Sequence, residues 1–182
     1  MNRVLWAAVI LVLPIIGGCG SGKEEPTSPT SPEAKVPRYK VSTEFKNCIS
    51  EVLLNYFEVH TALTEDDLGT AKAATRKLKN STDKAAKLDR DNLSEEERKE
   101  WEKSLANLSD SASQLLDVED IEGTRNVFVL LSDSVINTVK NFGHSQERAV
   151  QLCHCGMKRA YWLQKDSGEP IRNPYFGKDM LD

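Results

Sequence analysis

The sequence predicts an all-α protein, an antiparallel four-helix bundle closed by a short C-terminal cap that is irregular or a small hairpin. Apolar residues recur at spacings of three and four through four segments between residues 42 and 143. Short polar turns carrying helix-capping residues separate these segments, and the period-two alternation of a sheet is absent from them. After Gly143 the helical period ends, and turn residues and aromatics concentrate. Four amphipathic helices on short connections bury their stripes best as an antiparallel bundle.

The first helix is expected from Ser42 to Leu63, with Phe45, Ile49, Val52, Leu53, Tyr56, Phe57, His60 and Leu63 on its stripe and Cys48 at the edge. The second starts at Asp66 or Asp67 and runs to about Leu88, with Thr64 as its expected cap. Its stripe of Leu68, Ala71, Ala74, Leu78, Ala85 and Leu88 is rich in alanine, which lets two helices approach closely. Lys72, Arg76, Lys77, Lys79, Lys84 and Lys87 mark its solvated faces. The third opens with a capping box, Ser94 and Glu97, and buries Trp101, Leu105, Leu108, Ala112, Leu115 and Leu116. The fourth runs from near Asp120 through Ile121, Thr124, Phe128, Leu131, Val135, Val139 and Phe142, and Gly143 stops it. His60 reads first as a partly buried histidine bonded to a carbonyl, and second as a metal ligand.

Ahead of the bundle, Arg3 precedes an apolar run from Val4 to Ile16. That run is shorter than the about 20 residues a spanning helix needs, so it reads as an export signal. It ends in Ile16-Gly17-Gly18-Cys19, which resembles the lipobox of bacterial lipoproteins. The resemblance implies a signal peptide over 1–18, cleavage before Cys19, and a lipid on the Cys19 sulfur that anchors the protein to the bilayer. Residues 19–41, rich in Pro, Ser and Thr, form a mobile tether. No acidic residue directly follows Cys19. By analogy with the charge rule that sorts bacterial lipoproteins, the expected location is the cell envelope at the outer membrane.

With 24 basic and 28 acidic residues, the chain has a net charge of -4 and no basic cluster fit for nucleic acid. GxSxG, HExxH and a phosphate-cradling glycine loop are absent, and His144, His154 and the Glu95-Glu96-Glu97 run fix no catalytic arrangement. No enzyme is expected. The one dense set of soft donors is Cys153-His154-Cys155-Gly156-Met157, in the cap over residues 144–182. Thiolate, thioether and imidazole favour monovalent copper first and zinc second. On an extended strand Cys153, Cys155 and Met157 point to one face and His154 to the other. Alternatively Cys153 and Cys155 join each other, or one of them bridges to Cys48 as a staple, or the thiols buffer redox state. Trp162, Tyr175 and Phe176 serve as packing anchors of the cap or, with Arg172, as an interface for an envelope partner.

The tail also carries a family resemblance. Cys155-Gly156-Met157, Ala160-Tyr161-Trp162-Leu163-Gln164, Ile171-Arg172-Asn173-Pro174-Tyr175-Phe176-Gly177 and Met180-Leu181 form its most specific part. Tyr56, Asp66-Asp67-Leu68, Asp120-Ile121-Glu122, Arg125, Phe128 and Phe142-Gly143 add to it. From about residue 42 onward the chain resembles the domain of unknown function 3347, a family of exported helical domains. Its members are lipoproteins or periplasmic proteins, some fused to adaptor subunits of heavy-metal efflux pumps. The resemblance implies heavy-metal handling, with copper as the expected ion, an efflux adaptor or a metal donor or acceptor protein as partner, and Met180 as a further ligand. The family's usual proline is Gly156 here, and the cysteine that usually follows its methionine–leucine pair has no counterpart up to Asp182.

Overall fold

The computed structural model describes residues 36–146 and 149–180. The expected signal peptide, Cys19 and most of the tether lie outside the described residues. Four helices follow in order: α1 (Thr43–Thr64), α2 (Leu68–Ala85), α3 (Glu95–Asp117) and α4 (Ile121–Phe142). Two strands, β1 (Val150–Cys155) and β2 (Ala160–Lys165), pair antiparallel, and a 3-10 turn spans Gly177–Asp179. This is the expected helical bundle with a hairpin cap.

Local chemistry sets the helix ends. The Ser94 side chain accepts from the Glu97 amide while the Glu97 carboxylate accepts from the Ser94 amide, which closes the capping box at α3. Asp120 caps α4 by accepting from Gly123 N–H at 2.7 Å. The expected cap of α2 is corrected: Asp67 caps it, accepting from Thr70 N–H at 2.9 Å. Thr64 still belongs to α1, and its hydroxyl donates back to the Thr61 carbonyl. The chain reverses between them at Asp66, whose φ is 58°.

Each helix packs on the next, and α1 closes on α4. The alanines of α2 are buried, and α1 lies closely along it. The core has two parts. At one end Phe45, Ile49, Ala85, Leu93, Trp101, Leu105 and Phe142 pack together, with Cys48 partly buried beside them. The larger part runs from Val52 to Leu63 on α1, takes in Leu78, Leu108, Leu115, Phe128 and Leu131, and includes the hairpin residues Cys153, Cys155, Trp162 and Leu163.

The folded body starts a few residues before the expected tether boundary. Arg38 and Tyr39 N–H groups donate to the Lys140 and Asn141 carbonyls, and the Tyr39 ring stacks on Phe142. Gly143 ends α4 with φ 75°, and Pro37 packs where a side chain would stand.

β2 is the strand next to the bundle, in contact with α4 and α1. Its far edge bonds inward: Leu163 N–H donates to Tyr56 Oη at 3.2 Å, and Tyr175 Oη donates to the Tyr161 carbonyl at 2.6 Å. β1 is therefore the edge strand, although its Cys153 and Cys155 still reach the core.

Candidate functional site

The hairpin register brings Cys153 opposite Trp162, His154 opposite Tyr161, and Cys155 opposite Ala160. Opposed residues share a face, and neighbours along a strand alternate. Cys153, Cys155, Ala160 and Trp162 thus lie on one face, all four buried. His154 lies on the other, exposed, with its ring 4.5 Å from that of Tyr161. So far the alternation is as expected.

Met157 departs from it. β1 ends at Cys155 and the chain turns at Gly156, so Met157 sits on the turn with 65% of its surface exposed. Met180 is elsewhere in the tail, its sulfur accepting from Asn173 Nδ2 at 3.4 Å. The four donors adjacent in sequence are therefore not one cluster in space: Cys153 and Cys155 share a face, and neither His154 and Met157 nor the more distant Met180 joins them. Among the described residues, no three His, Cys, Asp or Glu side chains stand close enough to hold a metal ion.

The two thiols have distinct surroundings. Burial pushes the Cys153 thiol up to about 11. Cys155 Sγ accepts from the Lys158 amide at 3.4 Å across the turn. The indole N–H of Trp162, the cross-strand neighbour of Cys153, is buried with no hydrogen-bond partner among the described residues. Cys48, Cys153 and Cys155 are all free. Cys48 belongs to the opposite part of the core, so the staple between bundle and tail does not form in this structure.

The interface reading of the aromatics is corrected. Trp162 and Tyr175 are each only 2% exposed and meet edge to face at 5.9 Å, while Phe176 packs partly buried against the same core. The tail folds back over α1 and α4, and its rings fill the crevice instead of facing a partner. Arg172 alone of the four stays exposed.

Gln164 holds this return segment. Its amide donates to the Pro170 carbonyl at 2.9 Å and accepts from Arg172 N–H at 3.0 Å. A second clasp comes from α1, where His60 Nε2 lies 3.0 Å from the Arg172 carbonyl. A carbonyl only accepts, so Nε2 carries a proton, and the pKa lowered by burial leaves the ring neutral near pH 7. This is the first of the two readings given to His60. Burial lowers its pKa to about 4.

In the unfolded chain the ring titrates near 6.5. The contribution of neutral His60 is thus complete above that pH and is lost as pH falls toward the folded value. The loss approaches about 3 kcal/mol by pH 4. Urea midpoints measured from pH 7 down to pH 4.5 should fall more steeply for the native chain than for His60→Gln. Equal slopes would remove His60 as the cause.

A third clasp is Arg125 of α4, which is buried. Its guanidinium pairs with Asp66 and Glu122 and donates to the Leu63 carbonyl at 3.3 Å. Gly177 lies directly against the Asp66–Arg125 pair with φ 56°. Between α1 and this tail runs an open groove of about 680 Å³, walled by Leu54, Phe57, Glu58, Lys165 and Arg172, with His60 at its side. Sequence reasoning did not single out Gln164 or Gly177 as tail anchors. Asp66 and Arg125, both in the family resemblance, were the available signal for this clasp.

Fold and site together define a small helical-bundle domain capped by a hairpin that buries two free thiols. The model of a family described as a protein of unknown function, DUF3347, matches residues 52–147, and the chain belongs to that family. The matched stretch covers most of α1 and all of α2 to α4 and stops before the thiol-bearing hairpin. No curated protein and no solved structure matches the chain.

Proposed function

We propose that this protein is a lipoprotein of the bacterial cell envelope, anchored through Cys19, that binds one soft monovalent ion between Cys153 and Cys155. Copper is the expected ion. The carrying observation is that both thiols lie on one face of β1, two residues apart and buried in the same apolar core. Positions two apart on a strand are about 6.6 Å apart along the chain, within the reach of two sulfurs leaning toward one ion. A monovalent d10 ion accepts two thiolates in a near-linear arrangement, so a third ligand is not required. Soft thiolates also select it over hard cations.

Electrostatics favours the same pairing. A thiolate in this core is costly, as the raised Cys153 value indicates. One bound cation leaves the two-thiolate site with a single negative charge. The Lys158 amide, which already donates to Cys155 Sγ, is a donor beside that charge. Uptake expels the thiol protons, so binding weakens in acid. In this reading Met157, exposed at the hairpin turn, meets an ion first and hands it to Cys155. His154 and Met180 stay outside this ligand set. The role is binding and relay, without catalysis.

The docking alternative now rests on the groove beside Arg172, with an efflux adaptor as the partner the family resemblance implies. Copper titration separates the two readings. Reduced full chain, titrated with monovalent copper against a chromogenic chelator, should take up one ion and show thiolate-to-copper absorption in the ultraviolet. The double variant Cys153→Ser, Cys155→Ser should lose that ion although Cys19 and Cys48 remain. Uptake that is absent, or unchanged in the double variant, removes the proposal and leaves the groove.

A further inference from the structure

The outward edge of β1 has a hydrogen-bonding pattern that can be read from the hairpin. Asp166 N–H donates to the Ala149 carbonyl, and these residues continue the β1–β2 register. They form a closely bonded pair, so close pairs recur at Gln151–Gln164, Cys153–Trp162 and Cys155–Ala160. The intervening residues of β2 point their backbone the other way, as the bonds from Leu163 N–H and to the Tyr161 carbonyl confirm. By the same alternation, Val150, Leu152 and His154 direct their N–H and C=O groups outward, away from β2. Among the described residues nothing bonds to those groups.

Edge strands of monomers are ordinarily blunted by lysine, proline, an inward charge or a covering segment. β1 reads Val-Gln-Leu-Cys-His-Cys, with no acidic or basic carboxylate, ammonium or guanidinium group and no proline. Leu152, at the middle of the three outward residues, is 41% exposed.

We infer that β1 pairs antiparallel with β1 of a second copy of this chain across a two-fold axis at Leu152, making one four-stranded sheet. The register follows from the edge itself. Leu152 opposes Leu152 of the second copy as a close pair, and Val150 opposes His154 in both directions. In that register every outward N–H and C=O of the three residues gains a partner. A register shifted by one residue opposes outward groups to inward ones and loses the bonds. The side chains agree with it: Leu163, Leu152 and their two counterparts make an unbroken row of leucines across the sheet. No like charges meet within β1 itself.

The test is the mass of the full chain in detergent by sedimentation, with reductant and chelator present so that neither a disulfide nor a shared metal ion joins copies. Two chains per particle are expected for the native protein and one for Leu152→Lys or Leu152→Glu alone. An equimolar mixture of the two variants should return to two chains, because the opposed positions then attract. Amide exchange at Val150, Leu152 and His154 should slow as the native protein is concentrated. A single-chain native mass overturns the inference. So does a dimer that Leu152→Lys leaves intact, or fast exchange of the three amides at every concentration. If either variant proves misfolded by circular dichroism, the native mass and the exchange experiment decide alone.

Discussion

Trp101→Ala is expected to lower the unfolding free energy by about 4 kcal/mol, the range for removing a large buried aromatic side chain. Trp101 is 0% exposed and sits at the end of the bundle away from the hairpin. Its ring meets Phe45 edge to face at 4.9 Å and Phe142 at 5.1 Å, and Phe142 in turn stacks on Tyr39. One indole therefore ties together the starts of α1 and α3, the end of α4 and the segment leading into the fold. The hole left behind is walled by rings already held by their own helices, so it cannot collapse. Against a total stability of about 5–15 kcal/mol, the loss is a large share. Thermal and urea unfolding should both shift, with one cooperative transition retained. A loss below about 1 kcal/mol would mean that this end of the core is looser than its packing indicates.

Gly177→Ala is expected to act locally and almost as strongly, by about 3 kcal/mol. The new methyl group would overlap Arg125 Nη2 and Asp66 Oδ1, and φ of 56° is unfavourable for a side chain in any case. The guanidinium cannot step aside easily, because Arg125 is buried and also bonded to the Leu63 carbonyl. The tail should lift instead. The readout is proteolysis at Lys165 and Arg172, which should accelerate in the variant while the circular dichroism of the helices is kept. Asp66→Gly relieves part of the overlap and suits the positive φ at that position. Combined with Gly177→Ala it should cost less than the sum of the two changes. Strict additivity would show that the two residues do not meet.

The helices were legible because each wrote its own boundaries. Ser94–Glu97 and Asp120 announce helix starts from within a few residues, and the stripes through Phe45 to Leu63 and Ile121 to Phe142 have one period. The cap of α2 was misassigned for the same reason in reverse. Thr64 and Asp67 both suit the role, and the left-handed turn at Asp66 that decides between them depends on its pairing with Arg125, 59 positions away. Aromatic residues in the tail carried no sign of direction. Trp162 and Tyr175 look alike as interface anchors and as core, and only the contact of Tyr175 with Phe128 and of the two rings with each other assigns them inward.

The donor cluster shows a different limit. Adjacency along the chain placed Cys153, His154, Cys155 and Met157 together, but strand alternation and the turn at Gly156 send them three ways. Of the three sulfurs that strand alternation put on one face, the two thiols do share it, while Met157 lies beyond the end of β1. That neither is bridged to Cys48 was beyond the spacing, because it depends on which part of the core each enters.

The clasps on the tail have a consequence for the order in which the molecule is built. Successive helices meet their chain neighbours, whereas His60 reaches Arg172 over 112 positions and Tyr56 reaches Leu163 over 107. Bringing such distant stretches together is entropically slow, so the bundle closes first and the hairpin settles onto it last. A chain emerging from its amino end passes through a stage in which the sulfurs of Cys153 and Cys155 are open to the surroundings. Whatever they meet during that interval, ion or oxidant, reaches both sulfurs directly, whereas in the finished molecule both are buried and Met157 stands exposed at the turn beside them.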